Sequence, residues 1–342
     1  MLMEQCMACH IPGGSGPFRL DRLEDVRRRI VLVRDQILKR EMPPVYAQSE
    51  LGPISPFHEF TDEQALLFQR WQQAGMPEGE PPEHVERRLE PALSAALTAD
   101  VRLEAEGILS QVSVKVRNAP AAVAGIQGLH HPAIRQILLY RGNKVNPNRD
   151  HVEPEGELIA SFSPGFHGPP VSIPVEGDVM MKVVYQPTGK PERVKLTLLP
   201  DAPNRNAEWI SLGRDDWRIE ADKRLNLETS LTLEEDVLVA GFLPEARHFS
   251  AMLQLVAKTP DGKEQRLFHA RRWNLNFPGA YYFQTPVRLA KGTRLTYRAL
   301  YDNTETCPVN KGRNPQPVSS GYGRDQDRFW MHILTVKPGS AE

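Results

Sequence analysis

Cys6, Cys9 and His10 stand in a single C-x-x-C-H run, Cys6-Met7-Ala8-Cys9-His10. Two thiols separated by two residues can reach both vinyl groups of one porphyrin and close two thioether bonds. The adjacent imidazole then lies under the iron as its proximal ligand. Other uses of paired cysteines need other surroundings. A redox C-x-x-C sits in a βαβ pattern, and structural zinc needs further Cys or His at close spacing. Neither is found here, because the remaining cysteine is Cys307, a spare thiol in a Pro/Asn/Gly-rich loop. The run therefore points to one covalent haem c, with Cys6 and Cys9 as anchors and His10 as axial ligand. Met42, Met76 and His58 are the candidates for the sixth ligand. Met7 is excluded because it lies inside the attachment loop, on the proximal side.

Several elements must position such a group. The turn-rich stretch Ile11-Pro12-Gly13-Gly14-Ser15-Gly16-Pro17-Phe18 can wrap one porphyrin edge. Asp21 offers an N-cap to a helix whose apolar face is Leu23, Val26, Ile30, Val33 and Ile37, at steps of three and four. Met42-Pro43-Pro44 closes that helix, since proline lacks the backbone donor. The methionine would thus be held at a rigid end. Thr61-Asp62-Glu63-Gln64 reads as a capping box for a second helix through Leu66, Leu67, Phe68 and Trp71, stopped by Gly75 and Pro77.

After Glu80-Pro81-Pro82-Glu83, a linker, the apolar period becomes two. Runs around Val112–Val116, Ile137–Tyr140, Val179–Tyr185 and Val194–Leu198 read as strands. So do Val237–Ala240, Met252–Val256, Leu295–Leu300 and His332–Val336. Turns such as Pro260-Asp261-Gly262 and Lys291-Gly292-Thr293 separate them. The expected architecture is a small α domain over residues 1–82, followed by two antiparallel β-sandwiches of jelly-roll type over 83–203 and 204–342.

Composition bounds the partners. The 342 residues carry 42 Lys+Arg against 43 Asp+Glu, a net charge of -1 that gives no basic surface for nucleic acid or anionic lipid. No apolar run approaches the ~18 residues of a membrane span. Haem attachment to C-x-x-C-H takes place outside the cytoplasm, so a periplasmic or otherwise exported location is expected. Met1–Gln5 is too short for a signal-peptide core, which reads as a mature, trimmed or wrongly started form of an exported chain.

Cys6 to Pro82 resembles a monohaem cytochrome c module of exported bacterial proteins. The resemblance rests on Cys6-Met7-Ala8-Cys9-His10-Ile11-Pro12-Gly13, Gly16-Pro17-Phe18, Met42-Pro43-Pro44, Phe60-Thr61-Asp62-Glu63 and Trp71-Gln72-Gln73-Ala74-Gly75-Met76-Pro77-Glu78-Gly79. It implies Met42 as distal ligand. The family usually has Ala where Met76 stands.

From about Leu89 onward the chain resembles the two-domain core of type II copper, ascorbate-dependent monooxygenases, the peptidylglycine and dopamine β-monooxygenase family. Tyr185-Gln186-Pro187-Thr188-Gly189-Lys190, Arg272-Trp273-Asn274-Leu275-Asn276-Phe277 and Tyr301-Asp302-Asn303-Thr304 carry the match. The metal positions depart from that family. Its first copper takes a His pair and a third His, where this chain has Arg135, Gln136 and Val184. Its second takes His-x-His and a Met, where Glu245, Arg247 and Phe329 stand. Arginine stays protonated, and Val and Phe have no donor atom. His130-His131, His248 and Met331-His332 lie near these positions but out of register. His151, His167 and His269 read as surface residues.

The resemblance implies an exported electron carrier with one haem c and no copper. Its β region would be a monooxygenase-like pseudoenzyme scaffold used for docking a redox partner protein or for assembly in a larger exported or membrane-associated complex. The alternative is a copper hydroxylase fed electrons by the haem; a third reading makes the haem itself catalytic.

Overall fold

The computed structural model describes residues 6, 10, 11, 16–42, 47–55, 60–79, 97–105, 110–145, 154–164, 169–175, 177–204, 206–271, 273, 279–321 and 323–339. Among them, the chain begins with three helices and continues almost entirely in antiparallel strands.

The first helical stretch is broken where one helix was expected. α1 (Leu23–Arg28) and α2 (Ile30–Leu38) are separated at Arg29, whose φ of -117° and ψ of 11° leave helical geometry. The Arg29 guanidinium lies over the Phe18 ring, 4.9 Å from its centre. The apolar stripe survives the break, and Val26, Val33 and Ile37 all remain buried. Asp21 is not the N-cap. Arg22 takes that place without a side-chain bond, because Arg19 holds the Asp21 carboxylate in a two-pronged ion pair at 2.7 and 2.5 Å. Past α2 comes the two-residue strand β1 (Ile54–Ser55), then α3 (Asp62–Gln73). α3 opens on the full Thr61–Gln64 capping box. It closes on Gly75 at φ 82°, with the Met76 N–H returned to Trp71 O at 3.0 Å. Leu20, Val26, Val33, Ile37, Phe60 and Phe68 form the apolar centre of this part.

The first β unit comprises β2 (Leu97–Leu103), β3 (Ser110–Val116), β4 (Val123–Gln127), β5 (Ile134–Val145), β6 (Pro154–Phe162), β7 (Val179–Tyr185) and β8 (Glu192–Pro200). They form two sheets, ordered β2-β8-β4 and β3-β7-β5-β6, facing one core. The second unit begins with β9 (Ala207–Gly213), β10 (Arg218–Ile219), β11 (Arg224–Thr232), β12 (Val237–Glu245), β13 (Ser250–Lys258) and β14 (Glu264–Ala270). It continues with β15 (Tyr281–Leu289), β16 (Arg294–Asp302), β17 (Val318–Ser320), β18 (Gln326–Asp327) and β19 (Trp330–Val336). Its main sheets run β1-β15-β12-β19-β9 and β11-β16-β13-β14, and a small third sheet, β10-β17-β18, includes one parallel pair. All eight apolar runs read from the sequence fall within strands.

The two units share an apolar seam. Trp209, Leu243, Tyr282, Leu334 and Val336 of the second unit belong to the same buried cluster as Leu139, Met181 and Val183 of the first. Trp209 donates its indole N–H to Ile159 O at 3.1 Å. Strand β7 shows the consequence. One alternate set, Val179/Met181/Val183/Tyr185, is buried, and on the other Met180 and Lys182 are buried and Val184 half-buried, so both faces are covered. Register in β12 shifts between Val239 and Gly241. A Cβ at Gly241 would stand 2.4 Å from the Tyr282 ring, so only glycine lets β15 approach there.

The α part is attached to the far unit. β1 pairs with β15 (Ile54↔Phe283, Ser55↔Tyr282), Gln48 bridges to His269, and Glu50 ion-pairs with Arg266. His269, expected as a plain surface residue, is half-buried against this segment. Cys307, expected as a loop thiol, is buried in the core of the second unit. Among the described residues, no helix is long and apolar enough to cross a membrane.

Candidate functional site

The two ends of the C-x-x-C-H run are tied together: the His10 N–H bonds Cys6 O at 2.9 Å. The ring is then fixed from the other side. His10 Nδ1 lies 2.7 Å from Phe18 O. A carbonyl only accepts, so Nδ1 carries the proton and the Nε2 lone pair is left facing away. This is the tautomer a metal-ligating imidazole needs. Phe18 packs its ring 4.7 Å from that of His10, and Leu20 N–H returns to His10 O at 2.7 Å. Gly16 completes the cradle. A Cβ there would sit 2.6 Å from His10 Nδ1, so any larger residue displaces the imidazole.

Cys6 is half-buried beside the small apolar cluster, and His10 is buried. Cys9 lies outside the described residues, as do His58, His151 and His167. Met42 stands exposed just beyond α2. It follows a helix end in which Arg40 takes a left-handed φ of 55° and Glu41 N–H bonds Gln36 O at 2.9 Å. The large apolar side chains that stand exposed among the described residues are Val31, Leu32, Leu38, Met42, Leu66 and Leu67, all in this α part. The cradle around His10 leaves one ring nitrogen, Nε2, able to act as a ligand.

The positions expected to correspond to the first copper are brought together by register. Gln136 on β5 pairs directly with Val184 on β7. The space is filled by protein bonds. Gln136 Nε2 donates to Ser161 Oγ at 3.0 Å, and Arg135 Nη2 donates to Gln186 Oε1 at 2.7 Å. His131 turns elsewhere, with Nε2 3.1 Å from Glu192. His130 is exposed in the preceding turn.

At the second set of positions, Glu245 is sheltered and bound. Its Oε2 accepts from Arg328 Nε at 3.2 Å and its Oε1 lies 3.3 Å from His332 Nε2. Phe329, expected to occupy the third ligand position, instead points into the core of the second unit, stacked 4.7 Å from Tyr297. Arg328, one residue earlier, is the side chain that meets Glu245. Along β19 the faces alternate, so Met331 is in the core and His332 on the Glu245 side. Burial pushes the Glu245 carboxyl up, but the His332 bond and the Arg328 and Lys182 charges outweigh it and hold the group well below the usual range. Arg328 Nη1 also reaches Asp215 at 2.7 Å, and Trp330 Nε1 reaches the same oxygen at 3.1 Å. Ser211 Oγ lies 2.8 Å from His332 Nδ1. Among the described residues, no group of three or more His, Cys, Asp or Glu has the arrangement of a metal site. Sequence reasoning missed Ser211, Asp215 and Arg328. Only Lys182, a charge inside the apolar run Val179-Met180-Met181-Lys182-Val183-Val184, signalled that a buried carboxylate faces this seam.

No protein-family model matches the chain, and no curated protein matches it. Among solved structures it is similar to a two-domain protein of unknown function from Bacteroides fragilis NCTC 9343. Identity is 10% over 66% of this chain and 84% of that one, with a TM-score of 0.22, too slight a likeness to carry an argument.

Proposed function

We propose that the protein is an exported c-type cytochrome that carries one electron, with a copper-free β scaffold for docking a redox partner or for assembly. The observation that carries this reading is the His10 imidazole, locked by Phe18 O through Nδ1 at the end of a C-x-x-C-H run. Bound haem c would supply reversible one-electron chemistry at its iron. Cys6 and Cys9 would anchor it and His10 Nε2 would ligate it. Gly16 keeps the ring seated, and Phe18 O holds the basicity and direction of the imidazole. Met42 is the proposed distal ligand, its thioether favouring a raised potential suited to electron transfer. The helical part is thus read as a cytochrome c domain and the two β units as jelly-roll-like relatives of the copper monooxygenase core. The scaffold role rests on Arg135, Gln136 and Val184 in one place and Glu245 with Arg328 in the other. Both sets are engaged in bonds within the protein where the resemblance implies copper.

The test is elemental analysis of the chain matured in a host able to attach haem c. One iron per chain and no copper, even after copper loading, is the expected result. A chain that emerges from such a host without covalent haem overturns the reading, and one or two bound coppers overturn the scaffold assignment.

A further inference from the structure

We infer that Ser211, His332 and Glu245 form a nucleophile–base–carboxylate relay that makes Ser211 reactive toward activated acyl esters. This goes beyond electron transfer and does not depend on the haem.

The three residues come from three neighbouring strands of one sheet. Ser211 on β9 pairs directly with His332 on β19, and β12, on the other side of β19, carries Glu245. The distances are 2.8 Å from Ser211 Oγ to His332 Nδ1 and 3.3 Å from His332 Nε2 to Glu245 Oε1. Direction follows from charge. Arg328 bonds the far oxygen of Glu245, and Lys182, 1% exposed on the facing unit, adds a second positive charge. An ionised carboxylate can only accept, so in the neutral ring Nε2 is the donor and Nδ1 the acceptor. The remaining hydrogen bond must then run from the Ser211 hydroxyl to Nδ1. A hydroxyl donating to an imidazole that itself donates to a fixed carboxylate is the arrangement that activates serine nucleophiles.

Burial is graded in the useful order. Ser211 is exposed, whereas the His332 and Glu245 side chains are 12% and 13% exposed. The nucleophile therefore meets solvent while base and carboxylate are sheltered. Trp330 stacks parallel to the His332 ring, 6.5 Å away and 11° off plane, and itself bonds Asp215, which also holds Arg328. Ring, carboxylate and guanidinium are held from several sides, as a positioned base requires.

The step balances without a cofactor. Ser211 Oγ bonds the acyl carbon as its proton passes to His332 Nδ1. The carbon–oxygen bond of the leaving group breaks, and the departing alkoxide takes that proton. Water then attacks the acyl-serine, gives its proton to Nδ1, and the serine leaves with it as a free hydroxyl.

The test uses the full-length haem-loaded protein and a fluorophosphonate probe, which forms an Oγ–P bond and releases fluoride. Digestion and mass spectrometry locate the label. The expected result is labelling at Ser211, faster than at other exposed serines, with a rate that rises with pH through one ionisation. Glu245→Gln and His332→Gln should slow it by about 10²-fold or more, the usual scale of general-base assistance. Ser211→Ala, at an exposed position, should fold normally and take no label there. Failure of the wild-type protein to label at Ser211 overturns the inference, and so does a rate without pH dependence. A rate unchanged in a folded His332→Gln variant reduces the contact to a structural pair and overturns it equally.

Discussion

Asp327 ties the corner between β12 and β13 to the start of β19, and removing it should cost the second unit more than any surface change. Its Oδ1 accepts from the backbone N–H groups of Arg247 at 2.5 Å and Arg328 at 2.7 Å, and from Ser250 Oγ at 3.2 Å. Its Oδ2 accepts from Phe249 N–H at 2.7 Å. Asp327→Ala leaves these donors without an acceptor in a buried place. Each hydrogen bond to a charged group is worth about 1.5–3 kcal/mol, and the relief of burying a carboxylate offsets part of the loss. A net loss of roughly 3 kcal/mol follows. At about 3 °C per kcal/mol for a unit of this size, the melting temperature should fall by about 10 °C. Asp327→Asn keeps the shape but turns an N–H toward that of Phe249, so it should lose about half as much. Burial pushes the Asp327 carboxyl up to about 6. A raised acid contributes stability at low pH that is lost as pH rises through the folded value. The advantage of wild type over Asp327→Asn should therefore grow as pH falls from about 6 toward 3.8, the ordinary value. Urea titration followed by fluorescence of the buried Trp209, Trp217 and Trp273 measures all three chains. An alanine variant within about 0.5 kcal/mol of wild type, the range of neutral surface changes, would refute the reasoning.

Three further outcomes can be checked. Arg40 holds the left-handed position after α2 at φ 55°, which glycine adopts without strain, so Arg40→Gly should raise the melting temperature of the α part by a few degrees, its surface ion pair with Asp62 being worth little. Gly16→Ala should push the His10 ring aside; on the proposed reading the haem should stay attached through the cysteines, but with a shifted absorption spectrum. Burial, with the Arg247 and Arg313 charges, lowers His248 to about 4. A depressed histidine favours the folded state above its ordinary 6.5 and loses that contribution as pH falls toward 4. The urea midpoint of His248→Gln should therefore rise relative to that of wild type as pH falls over that window.

How far the sequence could be read depended on whether the signal was local. Alternating apolar runs placed the strands, because a half-buried sheet face imposes a period of two on its own segment. The Thr61–Gln64 box was legible for the same reason, since its donors and acceptors are three residues apart. The Asp21 cap was not. Arg19 competes for the same carboxylate, and a two-pronged ion pair outweighs a cap. In the second unit the roles of neighbouring residues depend on strand phase. Phe329 and Arg328 are adjacent in sequence and point to opposite faces, so the difference between a core ring and a partner for Glu245 is invisible until the strand's phase is known. Ser211 carries no local signature at all. Its chemistry arises only when β9 pairs with β19, 121 residues later.

The short pairing of β1 with β15 has a consequence for the order in which the molecule can be assembled. Glu50 and Arg266, at its border, are 216 residues apart. Closing so long a loop costs about 3 kcal/mol more in chain entropy than closing a ten-residue one. β1 therefore cannot nucleate anything; it must settle on a β15 that neighbouring strands have already built, as a late clasp on a finished sheet. Once there it covers an edge that carries Tyr281, Tyr282 and Phe283. Any clipped form that loses the first 55 residues would leave that row of backbone donors and acceptors bare, an open template for a second chain. The α part is, in this sense, the guard of the sheet it is mounted on.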